Sequence, residues 1–228
     1  GSCTDQMARL LDPDGIAAVE LGLSSDTIMA GYISELDRYT FVTNSDAHSL
    51  GKIGREYNRM LLADANFAEV LKALKGSGGR KVEANYGLNP RLGKYYRTYC
   101  TKCGRITAER PQQPALYGQC PYCGSNKLIR GVLDRILSIA DRNEPFVAPN
   151  RPPYYYQVPL EFIPGLGKKT LNKLLDTFGT EMNILHRASR EELMEAAGEQ
   201  IAQYILMARE GKLALSSGGG GHYGKVIR

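Results

Sequence analysis

The spacing of four cysteines constrains this chain of 228 residues more than any other feature of its sequence. Cys100 and Cys103 form one C-x-x-C pair, Cys120 and Cys123 form a second, and glycine follows each pair. Two such pairs on neighbouring hairpins can surround one tetrahedral ion with four thiolates. A closed shell leaves no position for water, so the spacing predicts a structural zinc site, a zinc ribbon spanning residues 92–130. An iron–sulfur cluster or two redox-active pairs are the alternatives.

The fifth cysteine, Cys3, belongs to neither pair, and an odd total does not fit a secreted disulfide framework. The sequence contains no stretch of about 20 apolar residues and no signal-peptide pattern. Its hydrophobic content of 43% is that of a globular protein. We therefore expect a reduced, cytoplasmic chain with no membrane partner.

Acidic and basic residues are segregated along the chain. Residues 1–37 contain seven acidic residues and one basic residue, whereas residues 91–135 contain nine basic and two acidic residues, interleaved with tyrosines. Cations neutralise phosphates and aromatic rings stack on bases, so this basic block favours a nucleic-acid partner. A solvated basic face with packed tyrosines is the alternative. The candidate DNA contacts in the block are Arg97, Lys102 and Arg105.

Residues 162–169 read FIPGLGKK and precede an amphipathic pattern of helical spacing. This order resembles the helix-hairpin-helix motif of DNA-binding proteins. Gly165 and Gly167 permit a tight turn whose amides can accept a phosphate at a helix N-terminus, and Lys168 and Lys169 add positive charge. Such contacts position DNA without reading its sequence. The alternative is a glycine-rich turn between two packed helices.

A strand over 16–23, a helix over 27–36 and a strand over 39–43 predict a βαβ unit that ends in a polar tip. In an extended tip, Asp46 and His48 point the same way and can bind one or two divalent metal ions. A turn-capping carboxylate and a surface histidine are the alternative.

The remaining segments divide into helices, one strand and a closing region. His186, His222 and Cys3 are interpreted as structural or incidental. The predicted elements are helices over 67–75 and 132–142, a strand or hairpin over 81–86, a proline-rich connector that ends at 159, a degenerate second hairpin over 188–209, and a hairpin or flexible tail over 212–228.

The stretches ELGLSSD (20–26) and NSDAHS (44–49), together with the two C-x-x-C pairs, resemble the endonuclease Q family. A proline connector, a hairpin motif and a GGGG-x-YGK-like tail follow in the same order as in that family. The resemblance implies a DNA repair endonuclease that recognises deaminated bases, such as hypoxanthine and uracil, and cuts the phosphodiester on their 5′ side. It also implies that Asp46 and His48 are the last metal ligands of a PHP (polymerase and histidinol phosphatase) site and that the four paired cysteines hold the ribbon zinc.

The resemblance implies a multidomain α+β fold with a partial α/β PHP barrel. Residues 1–91 would form the C-terminal part of the PHP phosphoesterase domain, 92–130 the zinc ribbon, and 131–159 a helix and proline-rich linker. Residues 160–228 would form a helical helix-hairpin-helix DNA-binding domain with a glycine-rich tail.

A PHP domain begins with an H-x-H pair, but no histidine precedes Asp46. We therefore expect the C-terminal portion of a longer protein, which by itself binds the catalytic Zn, Mg or Mn ions poorly and does not cut DNA. The implied partners are double-stranded DNA with a damaged base and a replication or repair protein. A non-catalytic zinc-ribbon and helix-hairpin-helix module is the main alternative. A PHP phosphoesterase for a small phosphorylated substrate is a weaker one, because it needs neither DNA-binding element.

Overall fold

The structure is a computed structural model that describes residues 4–107 and 118–227. Cys3 and residues 108–117 of the basic block lie outside the described residues. The described chain has a mixed α/β architecture with four small sheets and seven α-helices. None of those helices is both long enough and apolar enough to span a lipid bilayer.

The N-terminal region contains the predicted βαβ unit. Strands β1 (Ala18–Glu20) and β2 (Thr40–Val42) pair in parallel, and helix α1 (Thr27–Ala30) lies between them in the chain. The helix is shorter than predicted because Gly31 packs against another segment. Its carbonyl oxygen accepts a hydrogen bond from the Phe146 N–H at 3.0 Å, and a Cβ atom on Gly31 would lie 2.6 Å from the Phe146 carbonyl oxygen.

The next elements are strand β3 (Tyr57–Leu61), helix α2 (Phe67–Leu74) and strand β4 (Lys81–Leu88). The Glu69 N–H donates to the Asn66 side chain at 3.0 Å and caps the first turn of α2. Strands β3 and β4 pair antiparallel. The bounds of α2 and β4 confirm the predicted helix over 67–75 and the predicted strand over 81–86.

The cysteine-rich segment forms a three-stranded sheet. Strands β5 (Tyr99–Cys100), β6 (Arg105–Ile106) and β7 (Leu128–Ile129) are antiparallel, with β5 in the centre. Helix α3 (Val132–Ile139) follows, three residues shorter than the predicted 132–142.

Part of the segment predicted to be a connector is instead a strand. Strand β8 (Tyr154–Gln157) pairs in parallel with β4 and completes the sheet of β3, β4 and β8. Its tyrosines have high strand propensity, and the Tyr155 ring stacks on Tyr86 across the strands with a centroid separation of 4.9 Å. The predicted division of the chain into domains stays a prediction.

Four helices make up most of the region after residue 160, and they pack around one hydrophobic core. The fully buried side chains of this core include Leu160, Leu174, Ile184, Leu193 and Ile205, and Leu88 from the end of β4 joins them. The helices are α4 (Lys168–Phe178), α5 (Glu181–His186), α6 (Arg190–Ala197) and α7 (Glu199–Arg209).

The end of the chain forms a hairpin, the first of the two predicted alternatives. Strands β9 (Leu215–Ser216) and β10 (Lys225–Val226) pair antiparallel. The loop between them docks on the segment before β5, since the Gly218 N–H donates to the Arg91 carbonyl oxygen at 2.8 Å and the Arg97 N–H donates to the Gly218 carbonyl oxygen at 3.1 Å. We call residues 217–224 the glycine tail.

Candidate functional site

Four cysteine sulfurs converge at the end of the β5–β7 sheet, and all lie within 4.8 Å of one another. The Cys100 and Cys123 sulfurs are 3.7 Å apart, and so are those of Cys103 and Cys120. Zinc–thiolate bonds of about 2.3 Å require sulfur–sulfur edges of about 3.8 Å in a tetrahedron. The four residues therefore fit one tetrahedral metal ion with a closed thiolate shell.

Each pair of cysteines lies in a turn that is completed by the following glycine. The Gly104 N–H donates to the Cys100 carbonyl oxygen at 2.9 Å, and the Gly124 N–H donates to the Cys120 carbonyl oxygen at 2.8 Å. Both glycines have positive φ, near +69° and +68°, which is a conformation that glycine adopts without steric cost. Backbone N–H groups at Cys103 and Lys102 lower the pKa of Cys100 to about 7 and favour its thiolate, whereas burial and the neighbouring Cys120 thiol raise the pKa of Cys103.

Asp46 and His48 lie at the exposed tip that follows β2, but the tip is not extended as predicted. Asp46 has φ of +45°, a left-handed conformation that aspartate tolerates better than most residues. His48 Nδ1 lies 2.7 Å from the Asp46 carbonyl oxygen, so the ring turns back on its own loop. Within residues 4–107 and 118–227, the four cysteines are the only group of three or more His, Cys, Asp or Glu side chains close enough to share a metal ion. Asp46 and His48 do not belong to such a group, and their role as metal ligands stays a prediction.

Partly buried side chains of Asn58 and Arg55 form hydrogen bonds with the backbone of this tip and of the strand end before it. Asn58 on β3 accepts a hydrogen bond from the Thr43 N–H and donates one to the Thr43 carbonyl oxygen, both at 2.9 Å. Arg55 donates from Nη2 to the Ser45 carbonyl oxygen at 3.4 Å, and its Nε lies 2.9 Å from Glu56 Oε1. Burial raises the pKa of Glu56 to about 7, although the bond from Arg55 acts in the opposite direction. Sequence reasoning missed Arg55 and Glu56, because the burial of Glu56 and the contact of Arg55 with Ser45 arise only in the folded structure.

A cavity of about 300 Å³ lies between the loop after the tip and helices α4 and α5. Apolar walls from Ile53, Leu171 and Leu185 face polar groups from Arg55 and Glu181. Burial raises the pKa of Glu181, whose carboxylate accepts a hydrogen bond from the Leu160 N–H at 2.7 Å.

The predicted hairpin residues lie together at the N-terminus of α4. Gly165 has φ of +82°, Gly167 is the N-cap, and no side chain caps the amides of the first turn. Lys168 and Lys169 begin the helix, and both are exposed. The turn therefore presents uncapped amides and two cations to solvent, an arrangement that suits an anion.

The predicted basic contacts divide into exposed and buried residues. Lys102 and Arg105 are exposed, and the Arg105 guanidinium lies 5.2 Å from the ring centroid of the exposed Tyr122. Arg97, by contrast, is 7% exposed and forms an ion pair with the buried Asp134 at 3.2 Å. Arg97 is therefore not an exposed DNA contact in this structure, because its charge is used inside the fold, and its contact with DNA stays a prediction.

Two histidines predicted to be structural or incidental make contacts within the fold. His186 Nε2 lies 2.7 Å from Gln157 Oε1, and burial lowers the pKa of this imidazole. The exposed His222 ring packs edge-on against Tyr99 with a centroid separation of 6.0 Å. Neither contact indicates a catalytic role.

Comparisons with known proteins agree with this arrangement. A family model described as PHP-associated matches residues 29–77. The uncharacterised protein YqxK of Bacillus subtilis is 50% identical over 222 residues, which are 96% of this chain and 55% of that protein. The uncharacterised protein MJ0043 of Methanocaldococcus jannaschii is 38% identical over 91% of this chain and 28% of its own length.

Two solved structures resemble the whole fold. The lesion-specific endonuclease PfuEndoQ of Pyrococcus furiosus has a TM-score of 0.82 and 38% identity over 98% of this chain and 58% of that one. Endonuclease Q in complex with a 27-mer duplex substrate, which carries an abasic lesion at the active site, has a TM-score of 0.76 and 38% identity over 92% of this chain and 55% of that one. The chain thus spans little more than half the length of these structures, and over nearly all of its own length it is similar in sequence and fold to endonuclease Q.

Proposed function

We propose that this chain supplies the DNA-holding part and two metal ligands of a DNA repair endonuclease of the endonuclease Q type. The proposed reaction is metal-dependent hydrolysis of the phosphodiester on the 5′ side of a deaminated base, such as hypoxanthine or uracil. The main support is the similarity, over 92% of this chain, to an endonuclease Q that was solved with a duplex substrate. A cytoplasmic location and a replication or repair protein as a further partner remain predictions.

The proposed metal ions have different roles at the two sites. The four cysteines would hold a structural zinc in a ribbon, because their sulfurs fit a closed tetrahedral shell. Asp46 and His48 would contribute to a site for Zn, Mg or Mn ions. Such ions lower the pKa of a bound water and stabilise charge on phosphoryl oxygens.

The proposed DNA contacts come from two elements. At the N-terminus of α4, the turn of Gly165 and Gly167 and the ammonium groups of Lys168 and Lys169 would bind backbone phosphates, as in a helix-hairpin-helix motif. In the ribbon, Lys102 and Arg105 would bind the same duplex farther along. Contacts of this kind fix the position of the DNA without reading its sequence.

A non-catalytic DNA-binding module is the second candidate function. It is favoured by one observation, namely that Asp46 and His48 have no third ligand among the described residues. Metal content distinguishes the two functions. About one tightly held ion per chain favours the module, whereas additional ions that are lost in Asp46→Asn and His48→Ala favour a catalytic site.

Binding of a labelled duplex at several salt concentrations tests the DNA-holding role. We expect affinity to fall with salt, and we expect Lys168→Glu to weaken binding to any sequence by more than about tenfold. Lys173→Glu is the matched control, because it makes the same charge change on the same helix, away from the N-terminal turn. Affinity that does not depend on salt, or equal losses in the two variants, would contradict the proposal.

A further inference from the structure

One residue of the glycine tail, Tyr223, contacts three residues of the surrounding structure: Phe162 before the hairpin turn, Arg55 below the metal-ligand tip, and Lys94 of the basic block. Its ring packs edge-on against Phe162, which directly precedes the hairpin turn, with a centroid separation of 5.5 Å. Its hydroxyl oxygen lies 3.4 Å from Arg55 Nη1, and the other end of that guanidinium contacts Ser45, the residue before Asp46. Tyr223 therefore lies between the metal-ligand tip and the N-terminal region of α4.

The third contact is with Lys94 of the basic block. The Lys94 ammonium nitrogen lies 4.6 Å from the centroid of the Tyr223 ring, which is the geometry of a cation–π interaction. The backbone fixes this contact, because the Gly221 N–H donates to the Lys94 carbonyl oxygen and the Gly224 N–H donates to the Leu92 carbonyl oxygen, both at 3.0 Å. The glycine tail thus holds the Tyr223 ring against the Lys94 ammonium group.

The charge of Lys94 is not balanced by a nearby acid. Arg55 is paired with the buried Glu56, but no carboxylate of the described part of the chain lies within 4.0 Å of the Lys94 ammonium, which is exposed. The Tyr223 ring holds the Lys94 ammonium group between the metal-ligand tip and the anion-accepting turn. Its positive charge is complementary to the negative phosphates of a DNA strand that passes from the tip to the turn.

We propose that Lys94 binds a backbone phosphate of the DNA strand between the Asp46 tip and α4, and that Tyr223 positions the ammonium group for this contact. The inference rests on the proposed function, since it requires the chain to bind DNA. It adds a contact that is neither in the cysteine cluster nor in the hairpin turn. It also gives the glycine tail a role in binding.

The test measures duplex affinity and its salt dependence for single variants. We expect Lys94→Gln to weaken binding by about tenfold for every sequence and to reduce the slope of log affinity against log salt by about 0.9. Lys94→Arg should restore most of the affinity. Lys75→Gln, which removes an exposed lysine at the end of α2, is the matched control and should change neither quantity measurably.

The positioning role is tested by combining variants at both residues. Tyr223→Phe keeps the aromatic ring, so in that background Lys94→Gln should still weaken duplex binding by about tenfold. Tyr223→Leu removes the aromatic ring, so in that background Lys94→Gln should weaken duplex binding by only about two- to threefold. Circular dichroism and metal content would verify that each variant is folded.

The outcomes separate this inference from the function on which it rests. If the unaltered chain binds duplex DNA with salt-dependent affinity but Lys94→Gln behaves like Lys75→Gln, only the Lys94 contact is overturned. If Lys94→Gln costs the same in the Tyr223→Leu background, Tyr223 does not position it. If the unaltered chain does not bind DNA, the proposed function and this inference both fail.

Discussion

Glu56 places a carboxylate in the interior beside Arg55, and this has a consequence for pH dependence. Burial raises its pKa to about 7, above the value near 4.3 of an unfolded chain. The folded chain therefore keeps a proton that the unfolded chain has released, and this contribution to stability is complete below about pH 4 and is lost as the pH rises to 7. We expect a loss on the order of 2–3 kcal/mol in the free energy of unfolding over this range.

Chemical denaturation of the unaltered protein and of Glu56→Gln between pH 5 and pH 8 would measure this effect. The variant carries no titrating group at position 56, so its stability should gain relative to the unaltered protein as the pH rises. Parallel curves would show that Glu56 does not titrate in this range.

Gly220 illustrates a second effect at the scale of one residue. It has φ of +64°, and a Cβ atom there would lie 2.4 Å from the Tyr99 ring. Gly76 has a similar φ of +61° but has no atom within 4 Å of such a Cβ. Gly76→Ala should lower the free energy of unfolding by about 1–2 kcal/mol, because alanine is strained in the left-handed backbone conformation. Gly220→Ala should lower it by roughly 1–3 kcal/mol more, because the added Cβ atom clashes with the Tyr99 ring. Thermal unfolding would compare them, and equal losses would contradict the close packing of the glycine tail.

At the scale of elements, the cysteine turns were predictable because their geometry is local. Two residues between cysteines and a following glycine specify a turn whatever the rest of the chain does. The burial of Arg97 in an ion pair was not predictable, because its partner Asp134 lies on α3, far along the chain. Strand β8 was missed for the same reason, since a short strand is defined by the strand beside it. In the candidate site, the hairpin turn followed from its residues, whereas Arg55, Lys94 and Tyr223 came together only through the tertiary fold.

Metal removal tests the cysteine sheet as an element. Strands β5, β6 and β7 have only two residues each, too few to be stable by pairing alone. We expect Cys103→Ser to lose the bound ion and to lower the thermal midpoint, because the sheet then lacks its main cross-link. Cys3→Ser is the control, since Cys3 belongs to neither C-x-x-C pair. Metal analysis would check both variants, and full metal content in Cys103→Ser would contradict a four-thiolate site.

At the scale of the whole molecule, the important prediction concerns cleavage. Because Asp46 and His48 have no third ligand among the described residues, we expect this chain alone to leave a hypoxanthine-containing duplex intact in Mg, Mn or Zn. The lesion-specific endonuclease of Pyrococcus furiosus would be assayed beside it for comparison. Metal-dependent nicking by this chain that disappears in Asp46→Asn would show that two ligands suffice.

The docked glycine tail closes a long loop of the chain. At the base of the tail, the Arg91 side chain donates a hydrogen bond to the Leu215 carbonyl oxygen of β9, across a sequence separation of 124 residues. During synthesis, the segment before β5 therefore leaves the ribosome long before the partner that completes it. The loop between them includes the cysteine cluster, so a metal bound early shortens the stretch of chain that must still close. A metal ion at the four cysteines would bridge only residues 100–123 of this long loop, so we expect metal supply to affect the stability of the cysteine sheet more than the speed of loop closure.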